Sequence, residues 1–218
     1  ALIQLDYLEA KMIDNAIYVD INLFTQLAFI DFTEAVQPLV EANPQAKGFI
    51  LDVRDNPGGF LESAKSILGH FIPNGHALLY VKTAKDHVQL HLSTGEGEWK
   101  DYPIVILING ESASASEIVA MTLKEKARAI LVGETTFGKG TVQEIVNYTD
   151  GSSLKLTIAE WLSPKFKSIN GIGLDPHAVV PFTDEDRAAG KDPQLEKALE
   201  VLEKEAEKRA LELAEESV

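Results

Sequence analysis

Gly133-Glu134-Thr135-Thr136-Phe137-Gly138-Lys139-Gly140 has the G-x-x-x-x-G-K spacing of a phosphate-binding loop and follows an apolar run, Ala129-Ile130-Leu131-Val132, suited to a strand. Two features turn the reading away from nucleotides. A P-loop needs a Ser or Thr hydroxyl for Mg²⁺ directly after the lysine, and here that place is Gly140, with Thr141 one residue too late. The next residues, Thr141-Val142-Gln143-Glu144-Ile145-Val146, alternate polar and apolar side chains as a strand does, whereas a P-loop opens a helix whose amino end faces the phosphates. A glycine-lysine turn between two strands is the better description, and P-loop nucleotide binding becomes an unfavoured alternative.

Working outward, strands are expected at Ala16 to Ile21, Gly48 to Val53, Ile104 to Ile108 and Ala129 to Val132. Helical spacing marks Ile30 to Val40, Leu61 to Phe71 and Ser114 to Lys126. Two β-rich pieces fall between Ala77 and Leu92, and Tyr148-Thr149-Asp150-Gly151 turns a hairpin from the strand after Lys139 into Ser153 to Ala159. Strands alternating with helices predict an α/β core with parallel pairing, to which an antiparallel hairpin is added. From Asp192 onward, Leu195, Leu199, Leu202 and Ala206 form one stripe among many Glu and Lys residues, an amphipathic helix expected to pack on its own domain. Residues 1–182 then form the core and 183–218 the acidic helical tail.

Composition narrows the chemistry. With 218 residues, 45% of them hydrophobic, the chain can bury a sizeable core. A formal charge of −14 and the lack of a basic stripe argue against a nucleic-acid partner. Zero cysteines leave nucleophilic work to Ser, Thr, Lys or a carboxylate. No aliphatic run approaches the roughly 20 residues of a membrane helix. The first residues carry no basic patch followed by an apolar signal core, which reads as a processed chain or an excised domain.

Asn109-Gly110-Glu111-Ser112-Ala113-Ser114-Ala115-Ser116-Glu117 joins a buried strand to a helix, and a serine there sits beside unpaired first-turn amides that can donate to an oxyanion. The same letters contain the capping box Ser114-Ala115-Ser116-Glu117, and taken alone that is the simpler account. A serine nucleophile needs a base. His70, His76, His87, His91 and His177 fall in no histidine-catalysed pattern, and the G-x-S-x-G elbow is absent. Lys139 can serve if its surroundings favour the neutral amine, and Gln143, two strand positions beyond Thr141, could orient that amine without adding charge. Asn56-Pro57-Gly58-Gly59 could aim a backbone amide into the same site.

Together, Asp52-Val53-Arg54-Asp55-Asn56-Pro57-Gly58-Gly59, Ser112 to Ile118, Gly133 to Gln143 and Asp150 to Thr157 resemble the C-terminal processing peptidases, or tail-specific proteases, of the S41 serine peptidases. The resemblance runs from roughly Lys11 to Val180. It implies a crotonase-like or ClpP-like α/β core, a mixed and mostly parallel sheet with flanking helices. It implies Ser114 as nucleophile rather than Ser112 or Ser116, Lys139 as base and Gln143 as the lysine-orienting amide, and the separations of 25 and 4 residues fit. An oxyanion hole from the amides of Ala115 and of Gly58 or Gly59 follows from the same source. So do cleavage of proteins near unstructured C-termini without metal or cofactor, an extracytoplasmic setting such as the bacterial periplasm, and room for a homodimer. Family members usually carry a PDZ domain; none is recognisable in this chain, which fits either an excised core whose PDZ domain or adaptor lies outside it or a relative lacking that domain. A non-catalytic peptide-binding relative is the alternative reading.

Overall fold

Residues 7 to 216 are described by a computed structural model of the chain, so the outermost ends of the two expected segments, 1–182 and 183–218, lie outside the described residues. Elements follow in the order β1 (Leu8–Ile13), β2 (Ala16–Ile21), α1 (Ala28–Ala42), β3 (Gly48–Asp52), α2 (Leu61–Phe71), β4 (Ala77–Thr83), β5 (Val88–Leu92), β6 (Ile104–Ile108), α3 (Ala115–Lys126) and β7 (Ile130–Gly133). The chain continues through β8 (Thr141–Asn147), β9 (Ser153–Leu162), β10 (Ala178–Val179), α4 (Asp184–Ala188) and α5 (Pro193–Glu216).

Six strands form one sheet in the order β1-β2-β3-β6-β7-β10. Only the β1–β2 hairpin is antiparallel; the other four pairings are parallel. Parallel strands need crossovers, and α1, α2 and α3 lie on those that lead to β3, β6 and β7; β3 and β6 are covered on both faces and buried at every position. Side chains alternate across this sheet. Phe49 and Leu51 face α1, α2 and α3 in the larger core, while Ile50, Val105, Leu107 and Val132 face Ala198 and Leu202 of α5. The tail is therefore an amphipathic helix packed on the sheet, as its stripe predicts.

A second, antiparallel sheet has the order β5-β4-β9-β8. Its inner end joins the core through Val81, Trp161 and Val142. Beyond that, β8 and β9 project as a two-stranded ribbon, exposed continuously from Ser153 to Ile158. The expected α/β class, parallel core and added hairpin are all present. Strands β1 and β10 and the short helix α4 were not foreseen.

Candidate active site

Three adjacent strands, β3, β6 and β7, send their carboxyl-end loops to one edge of the sheet, the usual place for a ligand crevice in parallel α/β folds. Those loops carry the three motifs singled out from the sequence. Loop 53–59 is pinned through Asn56: its side-chain amide donates to Ile21 O at 2.5 Å, and its carbonyl accepts the Ala113 amide at 3.0 Å and the Ser116 hydroxyl at 2.9 Å. The Ser112 hydroxyl donates to Val53 O at 2.7 Å. Ser112 and Ser116, both fully buried, thus spend their hydroxyls on stitching the two loops together.

Ser114 differs from both. It is half-buried and adopts φ 58°, ψ −113°, a backbone region that a residue with a Cβ occupies rarely and at a cost of about 1–3 kcal/mol. Such strain persists only where surrounding bonds enforce it, and here they do. An ordinary N-cap would lie in the extended region, so capping alone does not account for this serine.

Glu117 is the brace. Its side chain is fully buried in the first turn of α3 and accepts four hydrogen bonds: the amides of Ser114 and Lys139 on Oε2, each at 2.9 Å, and the Thr136 hydroxyl and Gly138 amide on Oε1, at 2.6 and 2.7 Å. Four donors and the positive end of the helix satisfy a buried carboxylate without a counter-ion. Because one oxygen holds both, the amide nitrogens of Ser114 and Lys139 are no farther apart than the sum of two 2.9 Å bonds. Residues separated by 25 positions in the sequence are neighbours. The sequence signal for Glu117 was its place in the capping box, which captures only the bond to Ser114.

A Cβ on Gly58, whose φ is +105°, would stand 2.8 Å from Ser114 Cβ and 2.9 Å from Ala115 N, so only glycine lets loop 53–59 pass against the serine. Ala115 N–H is a first-turn amide beside this contact, without an intrahelical partner. Of the two glycine amides, that of Gly58 donates to Asn56 Oδ1 at 2.8 Å, whereas that of Gly59 donates to nothing among the described residues. Lys139 is half-buried, and none of the ion pairs among the described residues includes its ammonium. Gln143 stands on β8 where the register with β9 shifts after Val142, so the plain alternation expected from Thr141 is interrupted there; it is exposed, and its side-chain amide enters no hydrogen bond among the described residues. After Lys139 comes strand β8, with no helix for phosphates to face.

Two of the histidines are engaged elsewhere. His177 Nδ1 accepts the Leu131 amide at 2.9 Å, and His70 stacks on Trp99 between Thr33 and Glu98. Among the described residues, no group of His, Asp or Glu side chains converges as metal ligands, and no helix is long and apolar enough to cross a membrane.

Known proteins match most of this chain. The model of peptidase family S41 matches residues 15–180. Carboxy-terminal processing protease CtpB of Bacillus subtilis is 36% identical over 77% of the chain and 34% of its own length. The chloroplastic carboxyl-terminal-processing peptidase 3 of Arabidopsis thaliana is 37% identical over 73% of the chain and 30% of its own length. The solved structure of a photosystem II D1 C-terminal processing protease superimposes with a TM-score of 0.74 at 25% identity, covering 82% of this chain and 49% of that one. The chain thus spans half or less of the length of these relatives. With the family model covering most of its length and the serine and lysine loops meeting at one carboxylate, the chain belongs to peptidase family S41.

Proposed function

We propose that this chain is the catalytic core of a serine endopeptidase that cuts protein substrates near unstructured C-terminal tails, with Ser114 as nucleophile and Lys139 as base. The observation that carries the reading is the shared carboxylate oxygen of Glu117, which binds the Ser114 and Lys139 amides and so holds the two residues side by side. Uncharged Lys139 takes the Ser114 proton as Oγ attacks the scissile carbonyl. Negative charge developing on the carbonyl oxygen is met by the Ala115 N–H and by Gly59 N–H, or by Gly58 N–H once it leaves Asn56. Lys139 then returns the proton to the departing amine, and water, deprotonated in turn, clears the acyl-serine. Gln143, four residues beyond Lys139 on β8, swings toward the amine and orients it.

Relatives with these names occur in bacteria and in a chloroplast, and an extracytoplasmic compartment belongs to the same reading. So do a substrate-tail-binding PDZ domain or adaptor beyond this stretch and a homodimer. The test is cleavage of an unfolded protein with an apolar C-terminus by wild type, Ser114→Ala and Lys139→Ala. Cleavage confined to wild type is expected; equal cleavage by all three contradicts the proposal.

A further inference from the structure

The oxyanion loop is braced from the far side of the sheet as well as from the serine. Arg54 leaves the end of β3 two residues before Asn56, and its side chain is only 12% exposed. Every nitrogen of its guanidinium is bonded. Nε and one terminal nitrogen donate to Asp52, which also takes the Tyr18 hydroxyl at 2.7 Å. The terminal nitrogens donate to both oxygens of Asp192, at 3.0 and 2.8 Å, and one donates to Gln194 Oε1 at 3.0 Å. Asp192 in turn accepts the Leu195 amide at 2.9 Å, capping the first turn of α5, while Gln194 donates to Val180 O. A planar fork held on two edges by carboxylates leaves the backbone at position 54 little freedom. Burial alone would lower the affinity of Arg54 for its proton, but the bonds to Asp52 and Asp192 outweigh it and hold the charge firmly.

The helix has a second, separate anchor. Ala198 and Leu202 are buried on the sheet against Ile50, Val105 and Leu107, independent of Arg54. Stability of docking and the pull on Arg54 can therefore be altered one at a time.

We propose that Asp192 is a positioning residue for the active site: from the start of α5 it holds Arg54, which sets loop 53–59 so that Asn56 and the Gly58-Gly59 amides stand against Ser114. The inference rests on the peptidase reading for its effect on catalysis, though not for its effect on the loop. Releasing Asp192 lets the loop drift, and displacements on the order of an ångström at reacting groups cost up to about 100-fold in rate.

The test compares wild type, Asp192→Asn, Asp192→Ala and Leu202→Ala. Turnover is read on a quenched fluorescent peptide with an apolar C-terminus, well below every melting temperature, and amide hydrogen exchange is read over residues 53–59. For both Asp192 variants we expect kcat to fall about tenfold with KM within twofold, and exchange to rise over 53–59. Leu202→Ala is expected to melt at lower temperature yet keep kcat and the loop's exchange. If Asp192→Asn leaves kcat and exchange as in wild type, or Leu202→Ala lowers kcat as much, the positioning role is overturned. Failure of the peptidase reading looks different: exchange responds to Asp192 while wild type itself cleaves nothing.

Discussion

Ser114 and Lys139 sit on one buried carboxylate, whereas Gln143 rides on a ribbon open to water. The first pair is fixed by Glu117, which is fully buried and accepts four donors. Around Gln143, Ile145 is 60% exposed, and Leu154 and Leu156 are each 42% exposed. Elements that are packed and fully hydrogen-bonded hold reacting groups to the needed tolerance, while thinly packed strands open at low cost. Under the proposed function, the chemistry is divided between a fixed pair and an adjustable third residue.

Removing the brace should do the most damage. Glu117→Ala leaves four donors without their acceptor beside a strained serine, and we expect a loss of about 3 kcal/mol or more in denaturant unfolding and of over 100-fold in proteolysis. Glu117→Gln keeps the shape but swaps two acceptor sites for donors, so a mild phenotype there would break the contrast between the two regions. Gly58→Ala comes next. With φ +105° and a Cβ 2.8 Å from that of Ser114, it should cost about 1–3 kcal/mol and lower kcat more than KM changes. On the ribbon, Gln143→Ala should lower kcat about tenfold while stability stays within about 0.5 kcal/mol, because it touches no core contact. Ile145→Ser should leave stability within about 0.5 kcal/mol, and a larger fall would mean that the ribbon is packed more firmly than its exposure indicates.

Acid sharpens the picture of the brace behind the loop. Burial pushes the Asp192 carboxyl up, but hydrogen bonds from Arg54 and the Leu195 amide prevail and hold its pKa below the ordinary value. A carboxyl depressed in the folded state stabilises fully above its unfolded pKa of about 3.9, and that contribution disappears as pH falls through the lower folded value. The melting-temperature gap between wild type and Asp192→Asn should therefore narrow from about pH 5 downward. A gap that widens in acid would contradict the assignment of charge at Arg54.

How far the sequence speaks depends on what kind of signal each part carries. Strands β3 and β6 were legible because burial on both faces writes a continuous apolar run, as in Ile104-Val105-Ile106-Leu107-Ile108. The loops at their ends were legible too, since Gly58, Ser114 and Lys139 each stand at a strand's exit among small residues. Strand β1 was not, because its inner face is only half-buried and its pattern is weak, and β10 is two residues long. Glu117 was visible only as a local cap. Its bonds to Thr136, Gly138 and Lys139 join segments about twenty residues apart, which no local pattern records. Arg54 and Asp192 lie farther apart still, 138 residues along the chain, and nothing in either neighbourhood names the other.

The most direct measurement is peptide mapping after reaction with a fluorophosphonate, which is attacked by an activated serine as an acyl donor would be. Modification is expected at Ser114 in wild type, little or none in Lys139→Ala, and none at Ser112 or Ser116, whose hydroxyls are committed to Val53 O and Asn56 O. Labelling of Ser114 that is as fast in Lys139→Ala as in wild type would contradict the pairing of Ser114 with Lys139.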